Sequence, residues 1–261
     1  MLVSRGPGRP AWEKGFFVGG GWQDEHVSVW DELVGQDRAV ETLRRAVAGG
    51  RHAMTHAWLF VGPPGSGRSN SARAFAAALQ CHDGGCGRCN DCRTSLSGAH
   101  PDVTLLRTEQ LSIGVDEIRQ LVSRANVAPV NRRWQVVVIE DADRVTERGA
   151  DALLKALEEP APKTVWLLCA PSADDVIVTI RSRCRELRLV TPPIEEVAKL
   201  LVRRDGVDEV MAHYCARAAQ GHVGRARALA LNEEARKRRH EILSLPARLN
   251  TLPDCLSAAE S

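Results

Sequence analysis

Apolar and polar positions along this 261-residue chain change period several times, and each change marks an element. Between 36 and 48, Ala39, Val40, Leu43, Ala46 and Val47 recur at helical spacing on one face, and Gly49-Gly50 ends the run. Residues 57–61, AWLFV, are a continuous apolar run that reads as a short buried strand. An Ala-rich helix is predicted over 69–79. Val115, Ile118, Leu121, Val122 and Ala125 repeat the helical spacing, with Ser112 or Asp116 near the start of that helix. Residues 135–139, QVVVI, are continuously apolar from Val136 on and are expected to be buried on both faces of a parallel sheet. A further helix is expected over 146–159, with Ala150, Leu153, Leu154 and Leu157 inward and Pro160 as its stop. A buried strand at 165–169, a short helix at 173–181 and a last strand at 185–190 complete the alternation.

Strands alternating with helices predict an open α/β sheet with helices on both faces. At Thr191-Pro192-Pro193 the pattern changes, and only helical stretches follow, at 194–203, 207–219, 222–231 and 233–245. An α/β domain is therefore expected over 28–190 and a small all-helical domain over 191–240, with 241–261 left beyond them. Residues 1–27, rich in Gly, Pro and basic side chains and lacking an apolar signal core, read as a disordered leader.

Composition narrows the function classes only modestly. With 44% hydrophobic and 26% charged residues the chain is not of a disordered type. Lys and Arg number 35 against 33 Asp and Glu, a formal net charge of +2 that neither demands nor excludes nucleic acid. Apolar runs such as 136–139 and 165–170 are strand-sized and far short of a membrane span, so no membrane contact and a cytoplasmic location are expected.

The strand at 57–61 leads straight into Gly62-Pro63-Pro64-Gly65-Ser66-Gly67-Arg68-Ser69 and then into a helix. That is the order of a phosphate-binding loop, whose backbone N–H groups face phosphates at a helix N-terminus. Gly62, Gly65, Gly67, Arg68 and Ser69 are its candidate binding residues. Arg68 stands where a compact Lys ammonium is expected, and the larger planar guanidinium aims its donors differently. The second apolar strand ends in Glu140-Asp141, the reverse of the Asp-Glu order that would supply a magnesium-associated acid and a water-activating acid. Each carboxylate is thereby displaced by about one methylene, which matters because phosphoryl transfer is catalysed almost entirely by positioning. Weak or absent ATP hydrolysis is expected, with nucleotide and Mg²⁺ binding left open. The plainer reading is that both acids are solvated strand-end residues.

The chain has eight Cys, and four of them, Cys81, Cys86, Cys89 and Cys92, fall within twelve positions. Their two-residue gaps match the chelate turns of a structural zinc site, and four sulfur ligands leave no open position for water. An Fe–S cluster or free thiols are the alternatives. His82 and His100 are redundant to that set and are expected at the surface.

Several of these residues together resemble the clamp-loader AAA+ subunits of bacterial DNA polymerase III. The lead-in Trp30-Asp31-Glu32-Leu33-Val34-Gly35-Gln36 is similar to that family's, and the cysteines sit where its finger does. Residues 152–160, ALLKALEEP, and Ser182-Arg183-Cys184 resemble two of its motifs, the likeness running from about Trp30 to Leu231. The resemblance implies an AAA+ parallel sheet with an inserted zinc finger, a helical lid, and a collar domain of which 241–261 would be a remnant. It favours the delta-prime type over the ATP-hydrolysing gamma/tau type because of Arg68, Glu140-Asp141, Cys169-Ala170-Pro171 in place of a polar sensor, and Gly224 in place of a second sensor Arg.

The implied partners are gamma/tau and delta subunits, the sliding clamp, and primed DNA reached through the complex. Arg183 resembles an arginine finger offered to ATP on a neighbouring subunit; the plainer reading makes it one of several arginines in ordinary ion pairs. The sequence shows no polymerase site. A motor of gamma/tau type and a zinc-finger nucleic-acid module are the competing readings, the latter opposed by the absence of aromatic residues in the finger.

Overall fold

Five short strands pair into one wholly parallel sheet in a computed structural model that describes residues 28–50, 52–131 and 133–248. The leader expected over 1–27 and positions 249–261 of the expected collar remnant lie outside the described residues. The strands are β1 (Ala57–Val61), β2 (Val103–Leu106), β3 (Gln135–Ile139), β4 (Thr164–Ala170) and β5 (Arg185–Arg188), in spatial order β2-β3-β4-β1-β5. Every residue of β1, β3 and β4 is buried, the physical reason their sequences run apolar without alternation.

Helices cover both faces. On one side, α1 (Asp37–Val47), α2 (Arg68–Gln80) and the residues Val29, Trp30 and Leu33 share an apolar cluster with Cys81 and Cys92. On the other, α4 (Val115–Ala125), α5 (Glu147–Glu158) and the single-turn α6 (Val178–Arg181) enclose Ile118, Leu153, Trp166 and Ile180. Between these, α3 (Asn90–Ser97) closes the cysteine segment, its N-terminus capped by the Cys89 sulfur. Past the proline pair, α7 (Ile194–Asp205), α8 (Glu209–Ala218) and α9 (Val223–Leu231) pack around Val197, Leu201, Ala212 and Cys215. The last helix, α10 (Glu233–Arg248), is continuous through 240, so the division expected there falls inside a helix.

Several local expectations differ from the structure. Strand β2 has only four residues, too few for alternation to declare it, and it forms by pairing Val103 with Val136 along the sheet edge. Asp116 does lie in the first turn of α4, but the N-cap is Gly114, whose N–H donates to the Glu117 carboxylate at 2.8 Å. The helix expected over 173–181 is two pieces. A 3₁₀ turn at Ala173–Asp175 is closed by the Asp175 carboxylate, which accepts from Ser172 N–H at 2.9 Å before α6 begins. Leu154 is only half-buried, while Leu153 and Leu157 face the core. β5 stops at Arg188, and Val190 is exposed because its backbone turns to pair with Gln36.

Candidate nucleotide and metal sites

The phosphate loop leaves β1 at the carboxyl edge of the sheet, with β4 and β5 on either side, the place where open α/β sheets receive ligands. Its glycines answer to geometry. A Cβ on Gly62 would come within 2.6 Å of both the Leu189 carbonyl and Ser66 Oγ, and Gly67, the N-cap of α2, has φ +86°. Ser66 Oγ is buried without a partner, and Ser69 lies in the first turn of α2. The Arg68 guanidinium does not extend outward; it folds back and donates to the carbonyl of Gly62 in its own loop. The helical C-terminal region packs against the loop as well. A Cβ on Gly65 would lie 2.7 Å from the ring of His222, the N-cap of α9. Burial, then the Arg225 charge, holds the His222 imidazole below its ordinary pKa.

At the end of β3, Glu140 is engaged by its own chain. Arg73 of α2 donates from Nε and Nη2 to Glu140 Oε1, each at 2.7 Å, with the two side chains 26% and 8% exposed respectively. Asp141, beside it, is half-buried and begins the 3₁₀ turn Ala142–Arg144. Cys169, on β4, is fully buried, and burial foremost with the nearby Glu140 charge keeps its thiol neutral. Removing one partner of a buried pair strands the other. Arg73→Ala is therefore expected to cost about 3 kcal/mol in urea unfolding, with Arg73→Met/Glu140→Leu recovering most of it.

Arg183 stands in the turn between α6 and β5. Nη1 donates to Thr179 O at 2.8 Å and to Ser182 Oγ at 3.3 Å, and Nη2 to Glu158 Oε1 at 2.5 Å. The pair is 35% and 44% exposed, so it contributes little to stability and the guanidinium can be drawn off cheaply. The neighbouring arginines are committed elsewhere: Arg181 to Asp174, Arg188 to Glu186, and Arg185 to the Ala53 carbonyl and the Trp58 ring. Burial pushes the adjacent Cys184 thiol up to about 12.

The four cysteines of the finger converge. Their sulfurs all lie within 4.8 Å of one another, with Cys89 and Cys81 at 3.7 Å. A tetrahedral zinc with Zn–S near 2.3 Å would separate its sulfurs by about 3.8 Å, a spacing that the Cys81–Cys89 pair matches. Backbone N–H groups of Asp83, Cys86 and Cys92 donate to the Cys81 and Cys89 sulfurs, as they would to thiolate ligands. Burial raises the Cys86 pKa, but backbone N–H groups of Cys89 and Arg88 together with the Cys81 and Cys89 thiols outweigh it and bring it to about 7. Burial drives Cys92 the other way. No disulfide joins the described cysteines.

His82 is exposed, but His100, expected at the surface, is 4% exposed. The edge strand β2 carries the chain inward there. His100 Nδ1 accepts from Asp102 N–H at 3.1 Å, and its Nε2 lies 3.2 Å from the Asn131 amide, so its role is in the turn and not among the sulfurs.

A family described as DNA polymerase III, delta subunit, matches residues 35–193. This chain belongs to that family. The DNA polymerase III subunit delta' of Pseudomonas aeruginosa is 39% identical over 143 residues, 52% of this chain and 43% of that protein. The delta' subunit of Bacillus subtilis is 30% identical over 213 residues, 80% and 64% respectively. The gamma/tau subunit of Mycobacterium tuberculosis is 35% identical over 177 residues, 66% of this chain but 30% of that protein. The chain thus spans less than two thirds of the length of each of these relatives. Among solved structures, the Thermotoga maritima RuvB Holliday junction branch migration motor superposes with TM-score 0.57 at 15% identity, covering 84% of this chain and 73% of that one. That likeness shows the AAA+ fold alone.

Sequence reading missed the contacts of Arg73, Glu158, His222 and Gln36, although Gln36 and Glu158 lie within the motifs that carry the family resemblance. Each acts through a partner 25 to 157 positions away, and no spacing rule reaches that far. No helix among the described residues is long and apolar enough to cross a membrane.

Proposed function

We propose that this chain is a delta-prime-type clamp-loader subunit that lends Arg183 to ATP on a neighbouring gamma/tau-type subunit and does not turn ATP over itself. One contrast carries the reading. Inside the chain's own nucleotide site Arg68 is tied to Gly62 and Glu140 to Arg73, whereas Arg183 stands at the surface in a weak ion pair. A guanidinium supplied across an interface neutralises charge developing on the transferring phosphoryl group, and this needs no hydrolytic site in its owner. Gly62, Gly65, Gly67 and Ser69 keep the cradle that could hold a nucleotide without turnover.

The proposed assembly includes gamma/tau and delta subunits, the sliding clamp and, through the complex, primed DNA, in the cytoplasm. Residues 28–190 would form its AAA+ domain and 191–240 its lid, with 241–261 belonging to a collar. Cys81, Cys86, Cys89 and Cys92 would hold one structural Zn²⁺, which supplies a cross-link and no reactive position.

The test adds this chain to a loader lacking its delta-prime subunit; clamp- and DNA-stimulated ATP turnover is expected to return. Turnover by the isolated chain at a motor's rate would instead support the gamma/tau reading, which the 35% identity to the Mycobacterium tuberculosis subunit favours. Arg68→Lys in the isolated chain is expected to leave hydrolysis at background in a phosphate-release assay, because Arg73 still occupies Glu140.

A further inference from the structure

Residues 28–36 form no regular helix or strand, yet they touch the cysteine loop, the C-terminal helices and the phosphate loop. At one end they hold the finger. Val29 N–H and Ser28 Oγ both donate to the Gly85 carbonyl, at 3.0 and 2.9 Å, and Trp30 Nε1 donates to the Gly84 carbonyl at 3.1 Å. Gly84 and Gly85 lie between Cys81 and Cys86, so the loop that receives these bonds is the one whose two ends the sulfur cluster fixes. The fit is close: at Gly85, with φ +108°, a Cβ would come within 2.6 Å of Val29 Cγ2.

At the other end the same segment holds the lid and the phosphate loop. Arg203 of α7 donates to the Asp31 carbonyl at 3.0 Å, and Arg204 lies 3.8 Å from Glu32. Val34 packs into the lid's own apolar cluster, and Gly35, at φ +69°, fits so tightly that a Cβ would lie 2.8 Å from Pro193 Cδ. The buried Gln36 then ties the phosphate loop to the residue that directly precedes the C-terminal helical region. Its Nε2 donates to the Ser66 carbonyl at 3.1 Å and to the Val190 carbonyl at 2.6 Å, and its Oε1 accepts from Val190 N–H at 3.2 Å. In the middle, Trp30 and Leu33 are buried in the cluster that contains Cys81 and Cys92, so the segment cannot slide without opening the core.

We infer that residues 28–36 are a positioning strap through which the metal-bound finger holds the lid and the phosphate loop in register, and that loss of the metal is felt at Val190 and Ser66. The inference rests on the zinc reading of the cysteine cluster. It gives the finger a role in setting the lid, apart from any contact with nucleic acid.

Hydrogen exchange of the full chain reads this at defined amides, since Val29 N–H, at one end of the strap, is bonded to the Gly85 carbonyl and Val190 N–H is bonded to Gln36 at the other. Chelating the zinc is expected to speed exchange at both amides by about tenfold, the loss of one hydrogen bond's protection. Because chelation also loosens the finger itself, Gly85→Ala provides the second arm. Its Cβ pushes on Val29 while all four sulfur ligands remain, and with zinc still bound stoichiometrically it should speed exchange at Val190. Trp30→Phe, which keeps a buried ring but loses the bond to Gly84, should act in the same place to a smaller degree. Unchanged exchange at Val190 in zinc-loaded Gly85→Ala overturns the strap. Absence of zinc from the wild-type chain overturns the metal reading beneath it, and the two failures are told apart by metal content.

Discussion

Arg183→Ala is expected to assemble with the proposed partners as the wild type does and to lower ATP turnover at the neighbouring site it is proposed to serve by roughly a thousand-fold, the lower end of what trans arginines contribute. The expectation rests on where the charge sits. Arg183 is held only by the Thr179 carbonyl, the Ser182 hydroxyl and the half-exposed Glu158, so its removal strands no buried group and the fold should melt unchanged. A polyphosphate at an interface offers more negative charge than one carboxylate, and bidentate guanidinium–phosphate contact is geometrically favoured. Arg183→Lys should recover little, since a point ammonium lacks the fork. The measurement is stimulated turnover of the reconstituted loader, with subunit assembly followed by size-exclusion chromatography. Turnover equal to wild type from a fully assembled Arg183→Ala complex would return Arg183 to the status of an ordinary surface arginine.

The second large effect concerns the metal. Zinc-free chain, or Cys86→Ser, is expected to melt about 6–12 °C lower, corresponding to a loss of about 3 kcal/mol in a domain of this size. The finger is not an appendage that could unfold alone. Cys81 and Cys92 are buried in the same apolar cluster as Trp30, Leu43 and Phe75, so unravelling the ligand loop exposes part of the main core. Arg133 adds to the connection: it donates to the Leu79 and Cys81 carbonyls, at 3.1 and 2.9 Å, from the chain just before β3. Calorimetry with and without chelator under reducing conditions, alongside metal analysis, checks the claim. A zinc-free chain with an unchanged melting temperature would show that the cysteines pack as ordinary thiols.

Both expectations start from residues that could be picked out in the linear chain, and both depend on neighbours that could not. The cysteine spacing pointed to a cluster, and the sulfurs do converge, but the burial of Cys81 and Cys92 within the sheet-covering core was not legible. Ser182-Arg183-Cys184 singled out Arg183, whereas Glu158 at the end of α5 became its partner only when α6 returned beside α5. The exchanged acids Glu140-Asp141 suggested a weakened site. The stronger reason, Arg73 bonded to Glu140, joins α2 to the end of β3 across 67 positions. His100 was misplaced at the surface because nothing in a four-residue edge strand announces that the chain beside it turns inward.

What the amino-acid order determined by itself is local and periodic. Continuous apolar runs made buried parallel strands, threefold and fourfold spacing made helices, glycines made the phosphate loop, and a proline pair marked the lid. Those signals act over one strand or a few helical turns, because side chains that repeat on one face must be buried together. The tertiary structure alone decided which faces meet. The strand order β2-β3-β4-β1-β5, the closure of His222 over Gly65, and the strap from Gly85 to Gln36 bring together residues tens of positions apart. Such contacts are selected by packing and hydrogen-bond satisfaction over the whole molecule, and no local period encodes them.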